Sequence, residues 1–327
     1  MEPAEPVEVA MYVAIEVEQL AKVYAGGTEA LRDVTFHVDE GEIFGYLGRN
    51  GGGKTTTVRI LTGLTRPTGG RARVAGVDVV ARSEDVRSRI GVTLQEAALD
   101  ELLTGQEFLT LVASLWGLSR RAARSRAGEL LELFDLAPAA GRRIGTYSGG
   151  MQRRLDLAAA LVRRPEVLFL DEPTTGLDPQ SRRALWDEIR RLRSEGTTVF
   201  LTTQYLEEAE ALADRLAVVH EGRIVALGSP ETLRSELGGT VLRLRTTPAE
   251  ASRAAHRLAG RAQLVDGGAT VEVDLDRPAD ALEAAAALSA LGLRPDDLEI
   301  HRPSLEDVFM ALTGADAGAG PRSGEAA

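Results

Sequence analysis

Residues 13–47 alternate apolar and polar positions as strands do: Val34, Phe36 and Val38 share one parity, and Glu42–Leu47 is almost wholly apolar. A glycine-rich break at Gly48–Gly53 leads into a helical pattern over Lys54–Gly63. Gly69-Gly70 closes that unit, and short strands follow at Ala72–Val74 and Ile90–Thr93. From Thr104 to about Arg164 the period turns helical, with Leu109, Val112 and Leu115 on one face and Leu130, Leu131 and Phe134 on another. Pro165 stops this run. Val167–Leu170 is then a short apolar stretch bounded by charge, the pattern of a buried parallel strand. A helix over Gln180–Glu195 ends at Gly196, followed by strand Thr198–Thr202, helix Leu206–Asp214, strand Leu216–His220, a turn at Glu221–Arg223 and strand Ile224–Leu227. Strands alternating with helices predict an α/β domain with a parallel sheet over residues 13–237, interrupted by a helical subdomain at about 96–165.

Beyond a linker at Gly238-Gly239 the order is strand 241–245, helix 249–259, strand 262–266, strand 269–275, helix 279–290 and strand 296–301. This βαββαβ series predicts a small C-terminal α+β domain of ferredoxin-like type over 241–313. Its last helix opens at Ser304 with Asp307 completing a capping box, and sets Leu305, Val308, Phe309 and Leu312 on one face. Residues 1–12 read as an N-terminal extension, and 314–327, built of Ala, Gly, Ser and charge, as a disordered tail.

Composition narrows the function. The 327 residues carry 49 acids against 38 bases, a formal net charge of −11, which argues against a sequence-independent nucleic-acid binder. The absence of cysteine removes disulfides, thiolate metal sites and a cysteine nucleophile, and fits a reducing compartment. The N-terminus has no basic head or apolar run of a signal peptide, and no stretch approaches the roughly 18 apolar residues of a membrane span. Any membrane association is therefore expected to be peripheral, through a protein already embedded there. His37, His220, His256 and His301 show no ligand spacing. The basic run Arg120–Arg126 reads as a solvated helix face, with contact to anionic headgroups the alternative.

The chemistry lies in two segments. Gly48-Arg49-Asn50-Gly51-Gly52-Gly53-Lys54-Thr55 matches the phosphate-binding pattern G-x-x-x-x-G-K-[ST], between a strand and a helix as that pattern requires. Its glycines let backbone N–H groups turn onto a phosphate, Lys54 can reach the β- and γ-phosphates, and the Thr55 hydroxyl can ligate Mg²⁺. The second segment is Val167-Leu168-Phe169-Leu170-Asp171-Glu172. Two carboxylates emerge at the end of a buried strand, where open α/β sheets bind ligands. Asp171 can hold Mg²⁺ through water and Glu172 can polarise an attacking water. A Ser-Gly-Gly turn, Ser148-Gly149-Gly150, opening a further helix, is a second possible anion site.

In this order and company, the turn resembles the signature motif of ATP-binding cassette (ABC) proteins. Tyr24 resembles the aromatic that stacks on adenine, a half-buried strand residue being the alternative. Gln95, in Thr93-Leu94-Gln95-Glu96, resembles the Q-loop glutamine that reaches Mg²⁺, and Gly176-Leu177-Asp178 the D-loop. Thr56 is carried over with the phosphate loop. The segments Tyr147–Asp156, Leu201–Ala209 and Ser304–Phe309 are similar to ATPase subunits of bacterial drug exporters of the daunorubicin/doxorubicin-resistance type. The resemblance implies a P-loop NTPase that binds ATP and Mg²⁺. Two copies would pack head to tail, each ATP lying between the phosphate loop of one and the Ser148–Gly150 turn of the other. It implies a homodimer at the cytoplasmic face of the cell membrane that drives a separate permease exporting a hydrophobic, drug-like compound, of which an anthracycline polyketide is one type.

Three positions depart from the family pattern. Arg49 stands where proline is usual and Gly52 where alanine is usual, and neither removes a backbone donor. Gln204 stands where most members have a histidine that contacts the γ-phosphate. Its amide can donate but cannot become a cation, which predicts slow ATP hydrolysis without a histidine limb near pH 6.5; a mere cap of the next helix is the other reading. The rival function is a soluble ABC ATPase acting in translation or DNA repair. One cassette, no heptad arm and the acidic balance weigh against it.

Overall fold

The chain, as a computed structural model, is described over residues 13–95, 99–236, 240–257, 262–265, 270–275, 280–290, 297–301 and 304–314. It divides into two units between Ser229 and Pro230. In the first, strands are β1 (Val13–Val23), β2 (Glu29–Asp39), β3 (Ile43–Gly48), β4 (Gly69–Val74), β5 (Val77–Asp78), β6 (Ile90–Thr93), β7 (Val167–Asp171), β8 (Thr198–Thr203), β9 (Arg215–His220) and β10 (Arg223–Gly228). Helices are α1 (Lys54–Leu61), α2 (Ser83–Arg89), α3 (Gly105–Leu115), α4 (Arg120–Leu133), α5 (Gly149–Ala160), α6 (Pro179–Ser194) and α7 (Leu206–Leu212).

The strands fall into two sheets rather than one. β6, β7, β8, β3 and β9 run parallel, with β10 added antiparallel at the edge beyond β9. β1 and β2 do not join them; they pair with each other and with β4 and β5 in a separate antiparallel sheet, order β2-β1-β4-β5. The burial pattern gives the reason. Every residue of β3, β7 and β8 is buried, as strands covered on both faces must be, whereas β1 and β2 alternate buried and exposed positions.

Alternate residues of the parallel strands feed two cores. Phe44, Tyr46, Val167, Phe169 and Phe200 face the antiparallel sheet and α1, where Phe36 stacks on Phe44 at 5.2 Å between ring centroids. Ile43, Leu168, Leu170, Val199 and Leu201 face the other core, shared with α3, α4, α5 and α6. The helices α3, α4 and α5 are thus packed on one face of the parallel sheet. α2 and β5 escape a sequence pattern because they are short and bury little: α2 buries only Val86. α5 starts at Gly149, directly after Ser148, because the Ser148 hydroxyl caps it, accepting from the Met151 N–H at 3.3 Å.

The second unit holds α8 (Pro230–Glu236), β11 (Thr240–Arg245), α9 (Pro248–Arg257), β12 (Ala262–Val265), β13 (Thr270–Leu275), α10 (Ala281–Ala290), β14 (Asp297–His301) and α11 (Leu305–Gly314). Its sheet, order β12-β13-β11-β14, is antiparallel throughout, the ferredoxin-like arrangement. Leu242, Leu244, Val271 and Val273 form its core with Ala251, Ala254 and Ala281. The Ser304–Asp307 capping box is reciprocal: the Ser304 N–H donates to Asp307 Oδ2 at 2.8 Å and the Asp307 N–H to Ser304 Oγ at 3.2 Å. Leu305 and Val308 are buried, and Phe309 and Leu312 half-buried. The linker at Gly238-Gly239, the extension 1–12 and the tail beyond Gly314 lie outside the described residues. No described helix is long and apolar enough to cross a membrane.

Candidate functional site

Parallel pairing decides where the chemistry lies. β6, β7, β8 and β3 are neighbours running the same way, so their C-terminal ends deliver Gln95, Asp171-Glu172, Gln204 and the Gly48–Lys54 loop to one edge of the sheet. Gly48 cannot carry a side chain there, since a Cβ would lie 2.5 Å from Val219 Cγ2. Gly51 and Gly53 turn the loop with φ of 82° and 100°. Gly53 is the N-cap of α1. No side chain caps that helix and no acid lies in its first turn, which leaves its first N–H groups for an anion.

Lys54 is buried and turned back over the loop. Its Nζ donates to Gly48 O at 2.8 Å and Arg49 O at 3.1 Å, and pairs with Glu172 Oε1 at 3.0 Å. Asp171 is fully buried. The Thr202 hydroxyl donates to its Oδ1 at 2.5 Å, while Oδ2 has no hydrogen-bond partner among the described residues. Glu172, also buried, has φ of 49°, a left-handed backbone for a side chain that ordinarily avoids it. Its N–H donates to both Thr202 O and Thr202 Oγ1 at 3.1 Å, and its Oε2 accepts from Thr175 Oγ1 at 3.4 Å. Thr55 and Gln95 are exposed at the same edge. An orphaned carboxylate oxygen with a hydroxyl and an amide carbonyl nearby in the fold is a hard-oxygen donor set, and it suits Mg²⁺.

Tyr24 lies just past the end of β1, with Lys22 Nζ 5.0 Å from its ring centroid and its hydroxyl 3.3 Å from Thr56 Oγ1. A partly exposed ring therefore stands beside the first turn of α1. Gln204 is half-buried between β8 and α7. Tyr205, not Gln204, holds the N-cap position of α7, so the capping alternative for Gln204 does not describe this chain.

Ser148, Gly149, Gly150 and Asp178 are brought together. A Cβ on Gly150 would lie 2.6 Å from Ser181 Oγ. That hydroxyl donates to Asp178 Oδ2 at 2.6 Å, and Asp178 Oδ1 accepts from the Gln180 and Ser181 N–H groups. These bonds hold the Asp178 carboxyl below the usual carboxylate range, the Ser181 hydroxyl contributing most. Among the described residues, neither Ser148 nor Asp178 shares a hydrogen bond with the Gly48–Thr55 loop. Both Ser148 and Gly149 are exposed.

Three buried residues at this edge lie within Tyr147–Asp156 and Leu201–Ala209, but no motif assigns them a role there. Thr202 holds Asp171 and Glu172. Glu208, whose Oε1 accepts from Trp186 Nε1 at 3.1 Å, is pushed up by burial, against the Thr203, Thr174 and Trp186 contacts. Arg153, three residues after the glycine pair on α5, spans several backbone carbonyls. The Thr202 signal is its register opposite Asp171 in β7–β8 pairing, which a sequence does not display.

The ABC transporter family profile matches residues 31–175. The daunorubicin/doxorubicin resistance ATP-binding protein DrrA of Streptomyces peucetius is 48% identical over 310 residues, 92% of each chain. The doxorubicin resistance ATP-binding protein DrrA of Mycobacterium tuberculosis is 45% identical over 310 residues, 92% of this chain and 94% of its own. Among solved structures, a dimeric ATP-binding cassette in a post-hydrolysis state, bound to ADP and Pi, is similar with a TM-score of 0.61 and 26% identity, over 66% of this chain and 98% of its own.

Proposed function

The chain belongs to the ATP-binding subunits of ABC transporters, and from that membership we propose how its own residues perform the work. It binds ATP and hydrolyses it as the energy-supplying subunit of an exporter; such subunits dimerise and work with membrane permeases. The reading of the site rests on one observation above the others. The phosphate loop, Asp171, Glu172 and Gln204 leave adjacent parallel strands at one sheet edge, with α1 uncapped and one buried Asp171 oxygen unpartnered among the described residues.

The loop N–H groups and Lys54 take the phosphates, and Tyr24 offers its ring to the base. Thr55, Gln95 and Asp171 would hold Mg²⁺, which supplies charge neutralisation at the phosphates when bound. Phosphate oxygens compete with Gly48 O, Arg49 O and Glu172 for Lys54. As Lys54 turns to them, Glu172 is freed to accept a proton from the attacking water. Gln204, at the end of the strand between, donates one neutral hydrogen bond to the developing charge.

The Ser148–Gly150 turn and Asp178 complete the site in a second copy of this chain, packed head to tail. Their exposure, and the lack of a hydrogen bond from Ser148 or Asp178 to the chain's own Gly48–Thr55 loop among the described residues, support this pairing. Closure on ATP then biases a permease between two states, through the difference in nucleotide affinity of the open and closed pair. The cargo is a hydrophobic, drug-like compound of the anthracycline kind, as the names of its relatives indicate for those proteins. The subunit would sit peripherally on the cytoplasmic face of the membrane.

Two measurements test this. Glu172→Gln should retain ATP when magnesium is supplied, dimerise on it, and lose hydrolysis at least about 10³-fold; Ser148→Arg should bind ATP as a monomer. Inverted vesicles containing the chain with its permease should accumulate doxorubicin only with hydrolysable ATP. Failure of the purified chain to bind Mg-ATP overturns the whole reading, and vesicles that ignore doxorubicin overturn the cargo alone.

A further inference from the structure

One buried side chain to which the motifs assign no role bonds the main chain on either side of Glu172 and next to Gln95. Arg153 lies on α5, the helix that the Ser148–Gly150 turn opens, and its guanidinium is buried. Nε donates to Pro173 O at 2.8 Å and Nη2 to Asp171 O at 3.3 Å. Nη1 donates to Leu94 O at 2.8 Å and to Asp156 Oδ2, one turn along the same helix, at 3.2 Å. The acceptors at 171 and 173 flank Glu172, and the acceptor at 94 precedes Gln95. Glu172 is the residue with the left-handed backbone, φ 49°. A non-glycine residue stays in that region only where its surroundings over-determine it. Here one planar cation holds the carbonyls on both sides of it, and Asp156 fixes the cation's orientation.

We propose that Arg153 is a positioning residue for hydrolysis, which clamps the main chain on either side of Glu172 and ties that clamp to residue 94 and to the helix opened by the Ser148 turn. The inference rests on the reading of Glu172 as the base. Its consequence is that a shift of α5 moves the Glu172 carboxylate and the Gln95 loop as one. The Ser148 turn thereby acts on hydrolysis within its own chain, apart from any nucleotide it contacts in the other copy. Lysine cannot replace this arrangement, because a single ammonium cannot span four acceptors lying in different directions.

The test is a double-mutant cycle on the full chain, with kcat expressed per ATP-binding site. Arg153→Met should leave ATP affinity and KM within about threefold of the parent and lower kcat about 10²-fold, the cost of a misplaced catalytic group of order 1 Å. Arg153→Lys should recover part of that loss and also serves if the methionine variant does not fold. In a Glu172→Gln background the Arg153 substitution should cause no further loss, since it acts through the group already removed. Per-site kcat at the parental value in both Arg153 variants overturns the inference, as does an equal further loss in the Glu172→Gln background. If Glu172→Gln by itself hydrolyses ATP at the parental rate, the base reading fails instead, which is a separate result.

Discussion

Asp156 offers a quantitative test of the buried network under the site. Its carboxyl is pushed up to about 6 by burial, against the attraction of Arg153 at 3.2 Å, and its side chain is 14% exposed. The usual value is 3.8, so the folded protein holds this proton more tightly than the unfolded chain does. A carboxyl raised in this way contributes stability below about pH 4 and loses it as pH climbs through about 6; the full span is worth about 3 kcal/mol. Asp156→Asn has no proton to lose. The variant also leaves Arg153 without its carboxylate, but the three carbonyl acceptors remain, and that offset does not depend on pH. Carboxylates elsewhere titrate alike in both proteins and cancel in the difference. Urea unfolding followed by tryptophan fluorescence reports the first unit alone, because Trp116 and Trp186, the only two tryptophans, both lie there. Low protein concentration is needed, since the sequence pI of about 5.1 falls inside the titration window. The stability of Asp156→Asn relative to the parent should rise by up to about 3 kcal/mol between pH 4 and 6.5, then level off. A flat difference would refute the raised carboxyl. A falling one would show that Arg153 outweighs burial and that the ion pair is favourable.

Three further outcomes follow from the geometry. Gln204→His should raise the hydrolysis rate and add a limb near pH 6.5 to its profile; a variant with unchanged rate and profile removes the phosphate-facing role of position 204. Gly53→Ala should destabilise by about 2–5 kcal/mol, because φ is 100° and a Cβ would lie 2.6 Å from Ala30 O, while Gly52→Ala, with its nearest contact 3.1 Å from Arg49 O, should change stability by less than about 1 kcal/mol in urea. Asp178→Ala removes the acceptor of two N–H groups at the start of α6 and should cost about 1 kcal/mol of folding stability in the same assay, besides any effect on hydrolysis.

What could be read from the chain, and what could not, divides along a physical line. The glycines at 48–53, the apolar run before Asp171-Glu172 and the cap at Ser148 are local: each constrains its own backbone, so a short window displays it. The same holds for the βαββαβ order after residue 240, because each apolar period there is short-range. The split of the strands into two sheets is not local. It follows from β1 and β2 having one wet face, a property visible in the alternation at Val34–Val38 but overridden by the expectation that alternating strands and helices form one parallel sheet. Arg153 marks the limit more sharply. The sequence exhibits its five donors, but its acceptors are carbonyls of residues 94, 171 and 173, between 18 and 59 positions away along the chain. A backbone carbonyl has no residue type, so no motif can announce it. Thr202 is hidden for a related reason: its hydroxyl matters only because β7 and β8 pair with Asp171 opposite it. The motifs therefore specify which groups meet the nucleotide. The angle at which Glu172 meets it is set by residues to which the motifs assign no role, and substitutions there should alter turnover while leaving nucleotide affinity in place.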